Sequence, residues 1–305
     1  MEKVILIADS GTTKTDWSVV KDGRFLHSIH TKGINPYFQS FDEIKEEIES
    51  VLIPQIECLL QTADILNVGN ASKQNVTLHT VSVDAVYFYG AGCVFDKIDI
   101  MRDAISTCIK TTEINIYSDL LAAVHGICGR EAGIACILGT GSNSCFYDGQ
   151  KIVKNVSSLG FILGDEGGGV TLGRLLVSDV LKEILPEYLR NAFFERFKLT
   201  QADILDCVYK RPFPNRFLAS LSPFLSEHID VPEIRAIVVN NFISFLTRDV
   251  MQYDYKKYNA NFVGSVAYNY KDELMEAAKT VKVRVGKIIK SPMSGLLDYY
   301  NIKQS

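Results

Sequence analysis

The same order of predicted strands and helices occurs twice along this chain of 305 residues. Each half begins with three strand-like runs and continues with a helix, a strand, a second helix and a final strand. The first half has its predicted strands at 4–8, 15–20, 24–31, 83–89 and 113–117, and its helices at 38–61 and 95–109. The second half has its predicted strands at 132–138, 142–147, 151–155, 261–263 and 281–285, and its helical parts at 168–258 and 268–278. Because two such units in tandem usually face each other across a cleft, this order predicts an α/β fold of two facing domains.

We place the domain boundary at Tyr117-Ser118, where a predicted strand ends and a helix over 119–126 begins. The predicted domains are therefore residues 1–117 and 118–290. The remaining residues, 291–305, are predicted to form a helix that packs back on the first domain. Within the first domain, Pro54 is expected to kink or split the long helix, because proline lacks the backbone donor.

Charge and cysteine usage exclude several classes of protein. The chain has 32 Lys and Arg against 36 Asp and Glu, and the net charge of −4 argues against a nucleic-acid or anionic-membrane surface. No apolar run approaches the ~18 residues of a membrane span, and the N-terminus lacks a signal-peptide pattern. The seven cysteines form no CxxC pair and the five histidines show no metal-binding spacing. We therefore expect a cytoplasmic protein with reduced thiols.

The first turn of the chain, residues 9–16 with the sequence DSGTTKTD, has the residue types of a polyphosphate site. Glycine, threonine and lysine between two strands can direct N–H groups and an ammonium group at phosphates. Asp9, at the strand end, could hold Mg²⁺ through water, because Mg²⁺ gives up its waters reluctantly. The candidate phosphate-binding residues are Gly11, Thr12, Thr13, Lys14 and Thr15. The segment lacks the Walker A spacing, and it could equally be a hairpin turn rich in small polar residues.

A second turn of this kind lies at the equivalent point of the second half. The predicted strand 132–138 leads into Gly139-Thr140-Gly141-Ser142. Glycines let a backbone approach an anion closely, and the two hydroxyl groups offer further donors. Taken alone, this string could be only a hairpin, so its position in the repeat is what favours a phosphate site.

Asp119 follows the strand 113–117 and begins an Ala/Leu-rich helix. An aspartate in this position is commonly an N-cap, which is worth ~1 kcal/mol, but Ser118 can fill that role. We therefore expect the carboxylate of Asp119 to lie in the site and to accept a proton from an attacking hydroxyl group. Base catalysis of this kind contributes about 10²–10⁴-fold to a rate.

In this order and spacing, the motifs resemble those of the actin, heat-shock chaperone and sugar-kinase superfamily, whose members have duplicated ribonuclease-H-like domains. More narrowly, the chain resembles the N-acetylglucosamine kinases and their relatives, the activator ATPases of benzoyl-CoA reductase and 2-hydroxyacyl-CoA dehydratase. The resemblance covers nearly the whole chain: residues 9–15 fit the first phosphate motif, 139–142 the second and 263–267 the adenosine motif. It implies that Asp119 is the catalytic base and that ATP and Mg²⁺ are the cofactors.

The resemblance also implies which residues bind adenosine and an amino sugar. Gly264 and Ser265 are implied to flank adenosine. In the kinases that the chain resembles, the residue at Asn35 bonds the sugar, the one at Asp165 accepts its hydroxyl groups, and the backbone near Gly160 lies by the acetamido group. Carboxylates suit a polyol because hydroxyl groups donate strongly to them. The residues implied to contact the sugar are Asn35, Asp119, Ser142, Gly160 and Asp165.

Local patterns leave other interpretations open for two of these segments. Without the resemblance, Asn35-Pro36 would indicate the start of a turn, and the glycine-rich residues 164–169 a flexible loop before the next helix. Gly167-Gly168-Gly169-Val170 also stands where relatives often carry serine and an aromatic residue. The sugar is therefore open among N-acetylglucosamine, glucosamine, N-acetylmuramate and related molecules.

These expectations favour an ATP-dependent kinase that phosphorylates N-acetylglucosamine or a related hexosamine, at the 6-hydroxyl group. One alternative is an activator-type ATPase, although that branch has Gly-Gly-Gln-Asp at the second turn and no cysteine here has an obvious cluster-ligating context. Another is a non-catalytic sugar sensor, which would not need Asp119. The relatives are often dimers, so a homodimer is a further expectation that no sequence feature proves.

Overall fold

The computed structural model describes residues 3–11, 13–67, 81–94 and 97–304. The chain divides into two compact units, one of Met1–Gly129 with Pro292–Ser305 and the other of Arg130–Ser291. Each unit contains one five-stranded mixed sheet. Within the described ranges, no helix is both long enough and apolar enough to cross a membrane.

The first unit is built on a sheet with the strand order β3-β2-β1-β4-β5. Its strands are β1 (Val4–Ser10), β2 (Lys14–Lys21), β3 (Arg24–Lys32), β4 (Ala85–Gly90) and β5 (Glu113–Ser118). The first three form an antiparallel meander, and β4 and β5 run parallel to β1. Its helices are α1 (Phe41–Glu47), α2 (Ile53–Asn67), α3 (Lys97–Cys108) and α4 (Asp119–Ile127).

The second unit repeats this arrangement with the order β8-β7-β6-β9-β10. Its strands are β6 (Gly133–Leu138), β7 (Ser142–Tyr147), β8 (Ile152–Val156), β9 (Ala260–Val263) and β10 (Val285–Ile289). Between β8 and β9 lie helices α5 (Gly160–Leu163), α6 (Gly169–Leu181), α7 (Glu187–Phe197), α8 (Gln201–Tyr209), α9 (Pro214–Leu221), α10 (Pro223–Glu227) and α11 (Pro232–Arg248). Two more, α12 (Ser265–Asn269) and α13 (Lys271–Val281), join β9 to β10. The predicted repeat of element order is thus present in the two sheets.

Residues 4–8 of strand β1 are all apolar because both faces of the sheet are covered. Leu6 packs in a cluster with residues of α1 and α3, whereas Ile5 and Ile7 pack in a separate cluster with Ala122 of α4. Alternate residues of a strand point to opposite faces, so a continuous apolar run is typical of a strand buried on both sides.

The last helix, α14 (Met293–Tyr299), belongs to the first unit. It packs against α4 and β1, and Leu296 and Leu297 are buried there. Helix α4 itself packs on β1, β4 and β5. The compact units therefore divide after Gly129, twelve residues beyond the boundary placed at residue 117 from the sequence, because α4 packs on the sheet that precedes it.

Two further features of the elements bear on the sequence-based expectations. The strand predicted at 281–285 is wrong: α13 continues to Val281, Lys282 takes a left-handed conformation with φ 58°, and the strand is Val285–Ile289. The long helix before residue 67 is interrupted, as Pro54 suggested, by a π-helical turn at Ile48–Leu52. There the N–H of Ile53 donates to the carbonyl of Ile48, five residues back.

Candidate functional site

The carboxyl ends of three parallel strands lie level with one another in the first unit. Ser10 of β1 pairs with Gly90 of β4, and Gly90 pairs with Ser118 of β5. Asp9 immediately precedes Ser10, and Asp119 immediately follows Ser118. Ligands of open α/β sheets bind outside the carboxyl ends of the strands. The register therefore brings both predicted acidic residues to the edge of the sheet where a ligand is expected.

Asp9 is half-buried and lies among other negative charges. Burial, together with the nearby charges of Asp16 and Asp119, raises the pKa of its carboxyl group to about 7, while the charge of Lys14 acts in the opposite direction. Such a group of carboxylates suits a divalent cation, which would offset the repulsion. Within the described ranges, no three His, Cys, Asp or Glu side chains are placed to hold a metal by themselves. A cation at Asp9 would therefore complete its shell with water and phosphate, as Mg²⁺ commonly does.

Asp119 is the first residue of α4, and Ser118 is the N-cap, as predicted. The Ser118 hydroxyl accepts the N–H of Leu121 at 3.3 Å. Asp119 Oδ1 accepts the N–H of Leu120 at 2.8 Å, which fixes the direction of the carboxylate. Burial raises the pKa of Asp119, and the hydrogen bond from Leu120 acts in the opposite direction. A carboxylate with a raised pKa is a better proton acceptor near neutral pH.

The first turn uses part of its hydrogen-bonding capacity internally. The N–H of Gly11 donates to the carbonyl of Lys14 at 3.0 Å, and the carbonyl of Thr13 accepts the N–H of Gly33 at 3.0 Å. The Lys14 ammonium lies 2.6 Å from a carboxylate oxygen of Asp16, and its side chain is 67% exposed. An exposed lysine can leave such a pair, since surface ion pairs contribute little stability. Thr12 lies outside the described residues.

The hydroxyl group of Thr15 makes hydrogen bonds inside the first unit, and its contact with phosphate stays a prediction. Thr15 is fully buried, and its Oγ1 lies 2.7 Å from the hydroxyl of Ser10. It donates to the carbonyl of Lys32 at 3.0 Å and accepts the N–H of Ile34 at 3.2 Å. These bonds join the turn to the segment that carries Asn35.

Asn35 forms the turn that the Asn-Pro pair indicates, and its side-chain NH₂ group remains available as a hydrogen-bond donor. Its Oδ1 accepts the N–H of Tyr37 at 2.9 Å, and its own N–H donates to Gln39 at 2.6 Å. Oδ1 also lies against Gly92, where φ is +77° and an added Cβ would overlap it. The side-chain Nδ2 has no hydrogen-bond partner in the part of the chain that the structure describes, so it can donate to a ligand.

In the second unit, Asp165 lies against the second glycine turn. Asp165 Oδ1 accepts the N–H of Ser142 at 2.9 Å. The N–H of Gly139 donates within the turn to the carbonyl of Gly141 at 3.0 Å. For the N–H groups of Thr140 and Gly141, no acceptor lies within bonding distance among the described residues. These two groups and the hydroxyls of the turn are therefore the donors available to an anion.

Gly160 stands apart from these contacts. It is exposed, has φ +71° and begins the short helix α5, where its carbonyl accepts the N–H of Gly164 at 2.8 Å. An added Cβ would meet no atom within 4 Å. The contact of its backbone with an acetamido group stays a prediction.

A pocket of about 190 Å³ lies in the second unit beside the second turn. Gly139 and Thr140 line it together with Ser265 at the start of α12. The adjacent Gly264 has φ +127°, and an added Cβ would run into the carbonyl of Leu138, so only glycine allows β9 to end so close to β6. The predicted second phosphate motif and the predicted adenosine motif therefore meet in one pocket.

The pocket is also lined by residues that the motifs did not indicate. These residues are Ser222, Ser226, Asn269 and Tyr270. Tyr270 is buried and donates its hydroxyl to the carbonyl of Ser222 at 2.8 Å, which joins two segments of the pocket lining that are distant along the chain. Serines near a helix break have no pattern that distinguishes a pocket from a surface, so no sequence signal could have identified them.

Solved structures of similar proteins resemble this chain along its whole length. A Porphyromonas gingivalis protein provisionally named N-acetylglucosamine kinase is 43% identical, with a TM-score of 0.88 over 97% of this chain and 98% of that one. A Chromobacterium violaceum protein of the same provisional name is 15% identical, with a TM-score of 0.76 over 97% of this chain and 98% of that one. A ROK family glucokinase from Streptomyces griseus, solved with glucose and AMPPNP, is 15% identical, with a TM-score of 0.51 over 97% of both chains. The last two likenesses show the fold alone. No protein-family model and no curated protein matches the chain.

The repeated sheets and the strand-end site define a two-domain, actin-like sugar-kinase fold. This confirms the α/β class and the superfamily that the motifs indicated. With 43% identity over nearly its whole length to the Porphyromonas gingivalis protein, the chain belongs to the N-acetylglucosamine kinase-like family.

Proposed function

We propose that this chain is an ATP-dependent kinase that phosphorylates N-acetylglucosamine or a related hexosamine, at the 6-hydroxyl group. The observation that supports the proposal is the register of β1, β4 and β5, whose carboxyl ends, with Asp9 and Asp119 beside them, lie at one edge of the same sheet. The 43% identity, over 97% of this chain, to a protein provisionally named N-acetylglucosamine kinase supports the sugar class. A glucokinase of this fold solved with AMPPNP supports ATP as the phosphoryl donor.

In this reaction, side chains of the protein accept one proton and position the sugar through two contacts. The carboxylate of Asp119 accepts the proton of the attacking sugar hydroxyl. The sugar oxygen forms a bond to the γ-phosphorus of ATP, and the bond between that phosphorus and the β-phosphate oxygen, which leaves with ADP, breaks. Nδ2 of Asn35 donates to a sugar oxygen, and Asp165 accepts a sugar hydroxyl. Phosphoryl transfer depends mainly on positioning and charge stabilisation, so these contacts supply much of the catalysis.

The nucleotide is assigned to the pocket and to the two turns. The nucleoside occupies the pocket beside Ser265, and the N–H groups of Thr140 and Gly141 donate to phosphate oxygens. The ammonium group of Lys14 leaves the carboxylate of Asp16 and donates a hydrogen bond to a phosphate oxygen instead. Asp9 would hold Mg²⁺ through water, and the ion would supply positive charge that offsets the charge of the phosphates.

The test is ATP turnover measured with and without a panel of amino sugars. We expect ADP release that depends on N-acetylglucosamine or a close relative, with a 6-phosphate product identified by NMR. Sugar-independent hydrolysis by an iron-containing preparation would favour the activator-type ATPase. Sugar binding without turnover would favour the sensor. Either result would contradict the proposed kinase.

A further inference from the structure

Hydrogen bonds join the second glycine turn to the loop 164–169 within the second unit. The N–H of Gly169 donates to the carbonyl of Gly139 at 2.8 Å, and the N–H of Val170 donates to the carbonyl of Thr140, also at 2.8 Å. An added Cβ at Gly168 would lie 2.7 Å from the carbonyl carbon of Gly141. The first turn of α6 therefore holds the glycine turn, at a separation that only glycine allows.

The side chain of Asp165 completes this junction. Its Oδ1 accepts the N–H of Ser142 at 2.9 Å. An added Cβ at Gly141 would lie 2.7 Å from Oδ1 and 3.1 Å from Oδ2, so the whole carboxylate covers that glycine. Oδ2 has no hydrogen-bond partner in the portion of the chain that is described. One oxygen is thus committed to the turn, while the other can accept a further hydrogen bond.

The backbone of Asp165 is held so that the carboxylate has a set direction. Its φ is +56°, in the left-handed region that aspartate tolerates better than most residues. The carbonyl accepts the hydroxyl of Thr171 at 2.7 Å and the N–H of Gly168 at 3.1 Å, and the N–H donates to the carbonyl of Ser158 at 3.1 Å. The backbone of Asp165 is therefore held by three hydrogen bonds, and its carboxylate is bonded to the glycine turn through Ser142.

We infer that Asp165 is a positioning residue for the nucleotide as well as a contact for the sugar. One oxygen keeps the phosphate-binding turn in place through Ser142, and the other accepts a hydroxyl of the sugar. This inference rests on the proposed function. A sugar bound to Asp165 stabilises the geometry of the turn that binds phosphate, so each ligand strengthens the binding of the other by the same factor.

Two substitutions separate the two oxygens. Asp165→Asn retains an oxygen that accepts the N–H of Ser142, but its NH₂ group cannot accept a hydroxyl proton. Asp165→Gly removes both acceptors, and glycine suits the left-handed backbone. Circular dichroism and the unfolding midpoint establish that each variant is folded. The probe is a non-hydrolysable ATP analogue with Mg²⁺, titrated by calorimetry with and without N-acetylglucosamine.

Without sugar, we expect Asp165→Gly to bind the analogue at least about fivefold more weakly than the wild type, because the bond that orders the turn is lost. Asp165→Asn should stay within about twofold of the wild type, because it keeps that bond. The sugar should tighten binding of the analogue to the wild type, and this gain should disappear in both variants.

Equal affinity of Asp165→Gly and the wild type for the analogue would overturn the inference and leave the proposed function standing. So would an undiminished effect of the sugar in Asp165→Asn, a comparison that does not require the glycine variant to fold. A wild-type chain that binds no analogue at all would instead overturn the proposed function, and this inference with it.

Discussion

At the scale of single residues, the carboxylate of Asp119 has the sharpest consequence for activity. We expect Asp119→Asn to lower kcat by about 10² or more, because an amide cannot accept the hydroxyl proton. Binding of an ATP analogue should be unchanged, since the amide oxygen can keep the bond to Leu120. Sugar-dependent ADP release and equilibrium binding check the two halves of this prediction. Asp103→Asn, on the exposed surface of α3, is the matched control, and a near-normal kcat in Asp119→Asn would remove Asp119 from the role of base.

Asp249 is a residue whose charge opposes folding of the second unit. It follows the C-terminal end of α11, is 6% exposed, and its carboxylate has no hydrogen-bond partner among the described residues. Burial, followed by the charge of Glu166, raises its pKa to about 6, although Arg248 opposes this. The negative end of the helix dipole also disfavours an anion there. Because the folded chain then binds this proton more tightly than the unfolded chain, the free energy of unfolding falls as pH rises from about 4 to about 6.

We therefore expect Asp249→Asn to raise the free energy of unfolding by about 1–3 kcal/mol above pH ~7, and to change it little at pH ~4. Denaturant unfolding of both proteins at the two pH values measures this difference. Asp230→Asn, at an exposed turn, is the control and should show no such gain. A gain of equal size at both pH values would show that the charge of Asp249 is not its cause.

The triple glycine 167–169 shows what residue patterns alone can and cannot explain. The sequence identifies it as a departure from relatives, without a reason. The structure supplies one for Gly168, which packs on the backbone of Gly141 at a distance that leaves no room for a side chain. That reason involves a segment 27 residues away along the chain, so no local pattern contains it.

At the scale of elements, helices α4 and α14 approach closely through two glycines. An added Cβ at Gly126 would lie 2.6 Å from Pro292, and one at Gly295 would overlap the carbonyl oxygen of Gly126. We expect Gly295→Ala to displace α14 and to lower the free energy of unfolding by about 1–3 kcal/mol, despite the better helix propensity of alanine. Thermal unfolding followed by circular dichroism measures the loss. Ser294→Ala, on the exposed side of the same helix, is the control and removes only a 3.2 Å hydrogen bond to Gln304. Equal stability of the two variants would contradict the close packing.

The positions of most strands could be read from periodicity, but the end of α13 could not. Val281, Val283 and Val285 alternate with polar residues, which is the pattern of a half-buried strand. Instead, Val281 ends a helix that packs on α11, and the strand begins at Val285. Tertiary packing of the helix decided between two local preferences of similar strength.

At the scale of the whole molecule, the C-terminal segment completes the first unit although it follows the second in sequence. Leu296 and Leu297 are buried, the N–H of Lys303 donates to the carbonyl of Gly23 at 2.8 Å, and its carbonyl accepts the N–H of Phe25 at 3.0 Å. We expect a chain that ends at Ser291 to lose about 3 kcal/mol or more of stability in the first unit. Hydrogen exchange should increase in β1 and α4 and stay unchanged within 130–291.

A chain that ends at Gln304 is the matched control for this truncation, because it keeps α14, the bonds of Gln304 to Ser294 and Asp298, and the bonds to the turn at Gly23. Its exchange should equal that of the full chain. Faster exchange spread evenly over both units of the shorter chain would contradict the assignment of the C-terminal segment to the first unit alone.

By itself, the sequence determined the repeat of the α/β pattern, the two glycine turns and the acidic residues at strand ends. These features depend on side-chain periodicity and turn chemistry, which act over a few neighbouring residues. Only the tertiary structure decided that Thr15 is buried, that Asp165 bonds to the second turn, and that Ser222 and Asn269 line the pocket. Each of these depends on packing between segments that are distant along the chain, and a local pattern carries no information about which distant segment will be the neighbour.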